Sequence, residues 1–274
     1  MRYGICLPNL DEFVDARRVG ELARRAEQAG WDGFFLWDHV VFPHGGTHQV
    51  ADPWVLLTVA ALATERIRLG PLVTPVARRR PSTLARQTTS LDRLSNGRLV
   101  FGAGLGFTLE DEFGTWGEPT DPRVVARRLD HALGLLARLW TGEPVPEAAN
   151  VTFQPTPLQR PRPPVWIGCN WPAKAPLRRA ARWDGVVPMI VDFSDGSFKP
   201  TPQIVDEICA GVRAHRTDPA PFDVVITGRT TPEDARGTVE PLAAAGATWW
   251  LEGFRPAPGE YDAALHRIEA GPPR

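Results

Sequence analysis

Eight short apolar runs recur along this chain, and most hand over at their C-terminal end to Gly, Pro, Thr or Asn just before a segment with helical spacing. The runs are RYGICLP (2–8), GFFLW (33–37), RIRLGPLVT (66–74), RLVFGAG (98–104), PVWIGC (164–169), GVVPMI (185–190), FDVVIT (222–227) and ATWWLE (247–252). Short, nearly continuous apolar runs read as strands covered on both faces. Between the first two, Phe13 to Gly30 carries Val14, Val19, Leu22, Ala23, Ala26 and Ala29 at helical spacing before a terminal Gly. Asp52-Pro53 is an N-cap and first-turn signal for a helix through Thr64. Pro81 to Ser95 forms the next helix, stopped by Asn96-Gly97, and an Arg-rich amphipathic helix runs from Asp121-Pro122 to about Trp140. Further helices are predicted at 173–183, 200–216, 232–245 and 259–270.

Strands alternating with helices, with no hairpin signal between most of them, call for parallel pairing and right-handed crossovers. Eight such units predict an α/β fold, a single (β/α)8 TIM barrel occupying 1–274, with a doubly wound open sheet as the competing architecture. Residues 141–164, TGEPVPEAANVTFQPTPLQRPRPP, are dense in Pro and lack a helical period. They read as an irregular insertion between strands four and five, an ordered surface excursion or short hairpin, rather than an interdomain linker.

Charge narrows the partners. A formal net charge of -1 gives no broad attraction to phosphate polymers or anionic lipid, so neither nucleic acid nor membrane is expected. The apolar stretch PWVLLTVAALA at 53–63 is too short to span a bilayer. Cys6, Cys169 and Cys209 are odd in number and far apart, which suits a reducing compartment. A cytoplasmic protein is expected.

A barrel of this kind gathers its chemistry on the rim at the C-terminal ends of the strands. That rim should receive Asn9, Asp38-His39, Thr74, Gly104 to Gly106, Cys169-Asn170, Ile190, Thr227-Gly228 and Glu252-Gly253. Within this set His39 alone is a base that exchanges a proton near neutral pH. GAGLG at 102–106 lacks the dinucleotide fingerprint; its glycines suit either close approach to a flat ring or a tight turn. His39, His44 and His48, with Asp38 and Asp52, lack a recognised zinc spacing, and no metal is assigned. Arg78-Arg79-Arg80 and Lys174 can receive a cofactor phosphate or form solvated basic groups. Glu110, Asp111 and Glu112 can offer paired acids but read first as a solvated acidic stretch, and Trp171, Trp183, Trp249 and Trp250 read as core or pocket walls.

Five segments in order carry a more specific signal: GICLPN near the start, AEQAGWDGFFLWDH (26–39), ERIRLGPLVTP (65–75), LDRLSNGRLVFGAGLG (91–106) and PVWIGCNWPAKAPLRRAARWDGVVP (164–188). Together they resemble the bacterial luciferase-like flavin and deazaflavin oxidoreductases over about two thirds of the chain. The resemblance implies a barrel holding FMN or the deazaflavin F420 at its C-terminal rim, usually in a homodimer, with the ring carrying the redox chemistry. It places Asp38-His39 beside the reactive face of the ring and Pro71-Leu72, with Thr74 beyond, at a strand bulge behind it, where relatives often have a non-prolyl cis peptide. Leu105-Gly106 passes alongside the ring, and Gly168, Cys169, Asn170 and Pro172, with Lys174, form the phosphate-side loop. Two departures stand out. Phe107 replaces the acid carried by sugar-phosphate dehydrogenases, and Cys169-Asn170 replaces a Gly-rich pair.

The expected reaction is hydride transfer, or flavin-mediated monooxygenation, on a small organic substrate, with His39 exchanging the proton and Asp38 tuning it. The WDH strand end and the basic cluster favour F420 slightly over FMN, which would call for a separate flavin reductase. A noncatalytic flavin-binding protein and a metal-dependent barrel hydrolase are the alternatives.

Overall fold

The computed structural model describes residues 1–42, 46–146, 149–192 and 197–273. Its main sheet contains β1 (Arg2–Leu7), β2 (Gly33–Leu36), β3 (Arg68–Pro71), β4 (Thr74–Pro75), β5 (Phe101–Gly104), β6 (Val165–Asn170), β7 (Gly185–Met189), β10 (Asp223–Gly228) and β11 (Trp249–Gly253). All pairings within it are parallel, in the order β3-β2-β1-β11-β10-β7-β6-β5-β4. β3 and β4 are two halves of the single run predicted at 66–74, parted at Leu72–Val73, whose peptide is cis. The first half pairs with β2 and the second with β5, so one chain segment serves both edges of the sheet. Leu69 also bridges Leu99, with Leu69 N donating to the Arg98 carbonyl at 3.2 Å and Val100 N to that of Leu69 at 2.9 Å. The sheet therefore closes as a barrel and not as an open doubly wound sheet.

Helices α1 (Ala16–Gln28), α2 (Pro53–Leu62), α3 (Pro81–Leu94), α4 (Leu109–Glu112), α5 (Pro122–Thr141), α6 (Ala175–Ala180), α7 (Pro202–Arg213), α8 (Ala235–Ala244) and α9 (Glu260–Glu269) connect or follow the strands. Their starts follow local chemistry. Asp15, Asp52 and Asp121 accept from the first backbone amides of α1, α2 and α5, satisfying donors that have no partner within the helix. The first helix accordingly starts at Ala16 rather than Phe13, which lies in a short 3-10 turn over Asp11–Phe13.

Alternation along the strands divides the core in two. Ile5, Leu7, Phe34, Leu36, Phe101 and Ile167 point outward against the helices. Cys6, Phe35, Leu72, Val100, Trp166, Val225, Trp249 and Leu251 point into the barrel. Phe35, Trp166 and Trp249 meet pairwise at 5.3 to 5.9 Å between ring centroids and fill its lower half. Arg2 lies 4.6 Å over the Trp249 ring and bonds Asp223 at 2.9 Å, covering the N-terminal mouth. With that end plugged, the C-terminal rim is the open face.

The closure imposes one strict demand. A Cβ on Gly70 would stand 1.8 Å from the Val100 carbonyl oxygen, where the two halves of the barrel meet. Gly70→Ala should cost about 2–3 kcal/mol by overpacking, read as a lower urea midpoint with unchanged slope. A midpoint equal to that of the wild type would show that the strands can part there freely.

The Pro-rich insertion is the ordered excursion expected, with an antiparallel bridge between Val145 and Val151. The Asp92 carboxylate of α3 anchors it, accepting from Leu158 N at 2.6 Å and from Gln159 Nε2 at 2.7 Å. After β7 the chain forms a small antiparallel pair, β8 (Val191–Asp192) with β9 (Ser197–Phe198). Sequence reading missed this pair because strands of two residues carry no period. Its Phe198 ring packs against Gly253, where a Cβ would lie 2.8 Å away.

Candidate active site

Four strand ends build the rim around His39. Asn9, fully buried after β1, donates through Nδ2 to the His39 carbonyl at 2.8 Å and accepts the His39 amide at 3.1 Å. The backbone of His39 is thus clamped from both sides. Its imidazole, 12% exposed, places Nδ1 2.8 Å from Oε1 of Glu112, which is 1% exposed. The ring is flanked by Trp37 at 5.7 Å, Phe42 at 5.0 Å and Phe107 at 6.4 Å, and Phe42 and Phe107 stack on each other.

Asp38 points the other way. Its buried carboxylate accepts from Thr74 Oγ1 at 2.8 Å, Arg78 at 2.6 Å and Arg79 at 2.7 Å. Arg78 also pairs with Glu112, so two acids and two guanidiniums alternate in a buried network that ends at the imidazole. Burial pulls the Arg78 guanidinium below its ordinary range, opposed by the Asp38 charge. Arg78 and Arg79 are therefore tied into the fold, while Arg80 is exposed at the start of α3. Glu112 departs most from the sequence reading: it is a buried partner of His39, not part of a solvated acidic stretch. It ends the one-turn helix α4 beside the fully buried Phe113, and the adjoining Phe in the sequence is the one local hint that this acid turns inward.

The remaining predicted residues divide by strand parity. Gly104, Gly168 and Gly253 lie in register with the inward-facing Val100, Trp166 and Leu251 and line the barrel above the aromatic plug. Val73 reaches between Gly104 and Gly168, whose Cβ atoms would stand 2.5 and 3.1 Å from it. Leu72, 8% exposed, and Pro71 lie at the split of the third strand. Leu105 is half-buried against the outer core, and Gly106 adopts φ 109°, where an added Cβ would meet Glu112 at 2.9 Å. Glycine is required there by both its backbone angle and its neighbour.

Cys169 faces outward, its thiol donating to the Ala173 carbonyl at 3.5 Å and pushed up to about 12 by burial. Asn170, Pro172 and Lys174 are exposed at the rim, with a cis Trp171–Pro172 peptide and the Lys174 ammonium 4.6 Å over the Trp171 ring. Of the other loop histidines, His48 Nδ1 lies 2.6 Å from Asp11, while His44 falls outside the described residues. Among the described residues no helix is long and apolar enough to cross a membrane.

Fold and rim together define a class, a (β/α)8 barrel with a clamped imidazole at its C-terminal mouth. The luciferase-like monooxygenase family model matches residues 1–269, and the chain belongs to that family. An F420-dependent glucose-6-phosphate dehydrogenase of Nakamurella multipartita is 34% identical over 58% of this chain and 48% of its own length. Limonene 1,2-monooxygenase of Rhodococcus erythropolis is 34% identical over 46% of this chain and 31% of its own length. The chain spans less than half the length of either curated relative. The crystal structure of monooxygenase RslO1 from Streptomyces bottropensis matches with a TM-score of 0.77 at 20% identity, over 98% of this chain and 97% of that one, a likeness of fold.

Proposed function

We propose that this chain is an F420- or FMN-dependent oxidoreductase acting on a small, uncharged organic substrate, with F420 the favoured cofactor. The observation that carries the reading is the imidazole of His39, clamped at the rim beside glycine-lined strand ends. A planar cofactor with an acidic tail fits these residues. Val73 packs over Gly104 and Gly168 and gives a flat ring an apolar floor, and Asn170 and Lys174 stand exposed on the loop that begins at β6. Those residues, with Leu72 and Gly106, would hold it, and when bound the ring supplies the hydride acceptor or donor.

The chain's own groups account for the proton. When an alcohol carbon gives up its hydride, His39 takes the hydroxyl proton; in the reverse direction it returns that proton to the carbonyl oxygen. Trp37, Phe42 and Phe107 surround the imidazole with aromatic surface, which favours an apolar group next to the reacting carbon and disfavours a sugar phosphate. Should FMN be the cofactor, monooxygenation becomes available and a separate flavin reductase would supply reduced flavin. Titrating the protein with F420 and with FMN, followed by fluorescence or calorimetry, should give saturable binding of one and not the other. Failure to bind either would overturn the reading.

The same reading treats 1–274 as one cytoplasmic unit that works as a homodimer. Cys6, Cys169 and Cys209 are free and buried, as suits a reducing compartment. α2 is apolar nearly all round, leaving Val55 at 59% and Leu62 at 69% exposure, beside a groove of about 450 Å³ lined by Trp54, Leu91 and Leu94. Light scattering should show a dimer that Val55→Glu with Leu62→Glu converts to a folded monomer. A wild-type monomer at micromolar concentration would refute this assignment.

A further inference from the structure

We infer that Glu112 is the positioning residue of this site: its buried carboxylate holds His39 in the tautomer protonated at Nδ1, which leaves the ring's lone pair on Nε2. The kinetic consequence rests on the role proposed for His39; the tautomer itself does not.

The geometry leaves little freedom. An ionised carboxylate only accepts hydrogen bonds, so the 2.8 Å contact requires the proton on Nδ1 of the neutral ring. Arg78 faces the other carboxylate oxygen and favours the ionised form of Glu112. Arg78 is held in turn by Asp38, which also binds Arg79 and Thr74, so Asp38 reaches the imidazole through Arg78 and Glu112. The backbone of His39 is already pinned by Asn9, and Glu112 sets what that clamp leaves open, the rotation of the ring and the seat of its proton. Gly106 completes the device, because any side chain there would press on Glu112 at 2.9 Å. In that tautomer the ring accepts a proton at Nε2 while Nδ1 stays committed to Glu112.

The charged groups packed around the imidazole come from separate elements. Glu112 lies on α4, Asp38 on the segment after β2, and Arg78 and Arg79 after β4; the His48–Asp11 pair stands beyond the Phe42 ring. Of these, Glu112 contacts the ring directly through Nδ1.

Protein labelled with ¹⁵N-histidine reports the tautomer without any substrate, and His39→Gln identifies the resonance by its loss. The wild type should show the Nδ1–H form above the titration of His39. Glu112→Ala should shift the ring toward the Nε2–H form and lower kcat roughly 100-fold. Glu112→Gln, close in volume, turns its amide oxygen to Arg78 and its NH2 to Nδ1, so it should move the ring proton to Nε2 and lower the pH–rate limb of the imidazole by roughly one pH unit or more. That variant keeps the test usable should Glu112→Ala not fold. A wild-type Nε2–H tautomer, or a Glu112→Gln limb at the wild-type pH, would overturn the inference. An Nδ1–H tautomer in a protein that binds neither cofactor would support the positioning role while defeating the oxidoreductase reading.

Discussion

His39→Ala is expected to lower kcat by about 10²- to 10⁴-fold while leaving cofactor affinity within a few-fold of the wild type. The expectation follows from where the side chain stands. Asn9 holds its backbone and Glu112 its ring, so replacement removes a proton-exchanging group from the rim without loosening the strands beneath it. The residues proposed to hold the cofactor, among them Gly168, Asn170 and Lys174, belong to a different βα unit. Steady-state rates with the cofactor that binds, alongside fluorescence titration of the same variant, separate the two effects. A rate within three-fold of wild type would remove His39 from the chemistry. Loss of binding with loss of rate would instead make it a cofactor ligand.

Glu252→Ala should lower stability by about 3–5 kcal/mol. Glu252 is completely buried at the end of β11 and accepts from Thr230 N at 3.0 Å, Trp250 Nε1 at 3.0 Å and Arg267 at 2.9 Å. Arg267, on α9, is itself 4% exposed and lies 4.9 Å from the Trp31 ring. Removing the acid leaves a buried guanidinium without its counter-charge, held by neutral acceptors such as the Gly271 carbonyl at 2.6 Å, and weakens the tie of the last helix to the barrel. Replacing both partners, Glu252→Leu with Arg267→Met, should cost less than the single change, because neither buried charge is then left alone. Urea midpoints of the three proteins test this. A single-variant loss below about 1 kcal/mol would mean that water reaches Arg267.

Both predictions turn on groups whose partners lie far off in sequence. The strands, the Asp caps at 52 and 121 and the Gly-rich rim were legible because each depends on residues within a few positions, whereas the cap at Asp15 was passed over in favour of a start at Phe13. A bulge in the third strand was expected at Pro71-Leu72 from family resemblance alone, for nothing in the run RIRLGPLVT alters its apolar period there, and the cis peptide lies one residue on, at Leu72–Val73. Phe107 showed itself as a departure from the sugar-phosphate pattern, and the structure gives it a place beside His39 and Phe42. Arg78, Arg79 and Glu112 were misjudged for one reason. Charged residues in loops are usually solvated, and local composition does not reveal which few are buried by distant partners.

The sequence alone determined the alternation of strand and helix and most helix starts, since periodicity and capping act over a turn or two of chain, and the family through five ordered segments that resemble it. Tertiary structure decided that the sheet closes, which faces of Gly168 and Cys169 look inward, and that His39 meets an acid 73 positions away. Such contacts come into being only when the strand ends converge, because pairing two buried charges depends on the whole barrel excluding water from both.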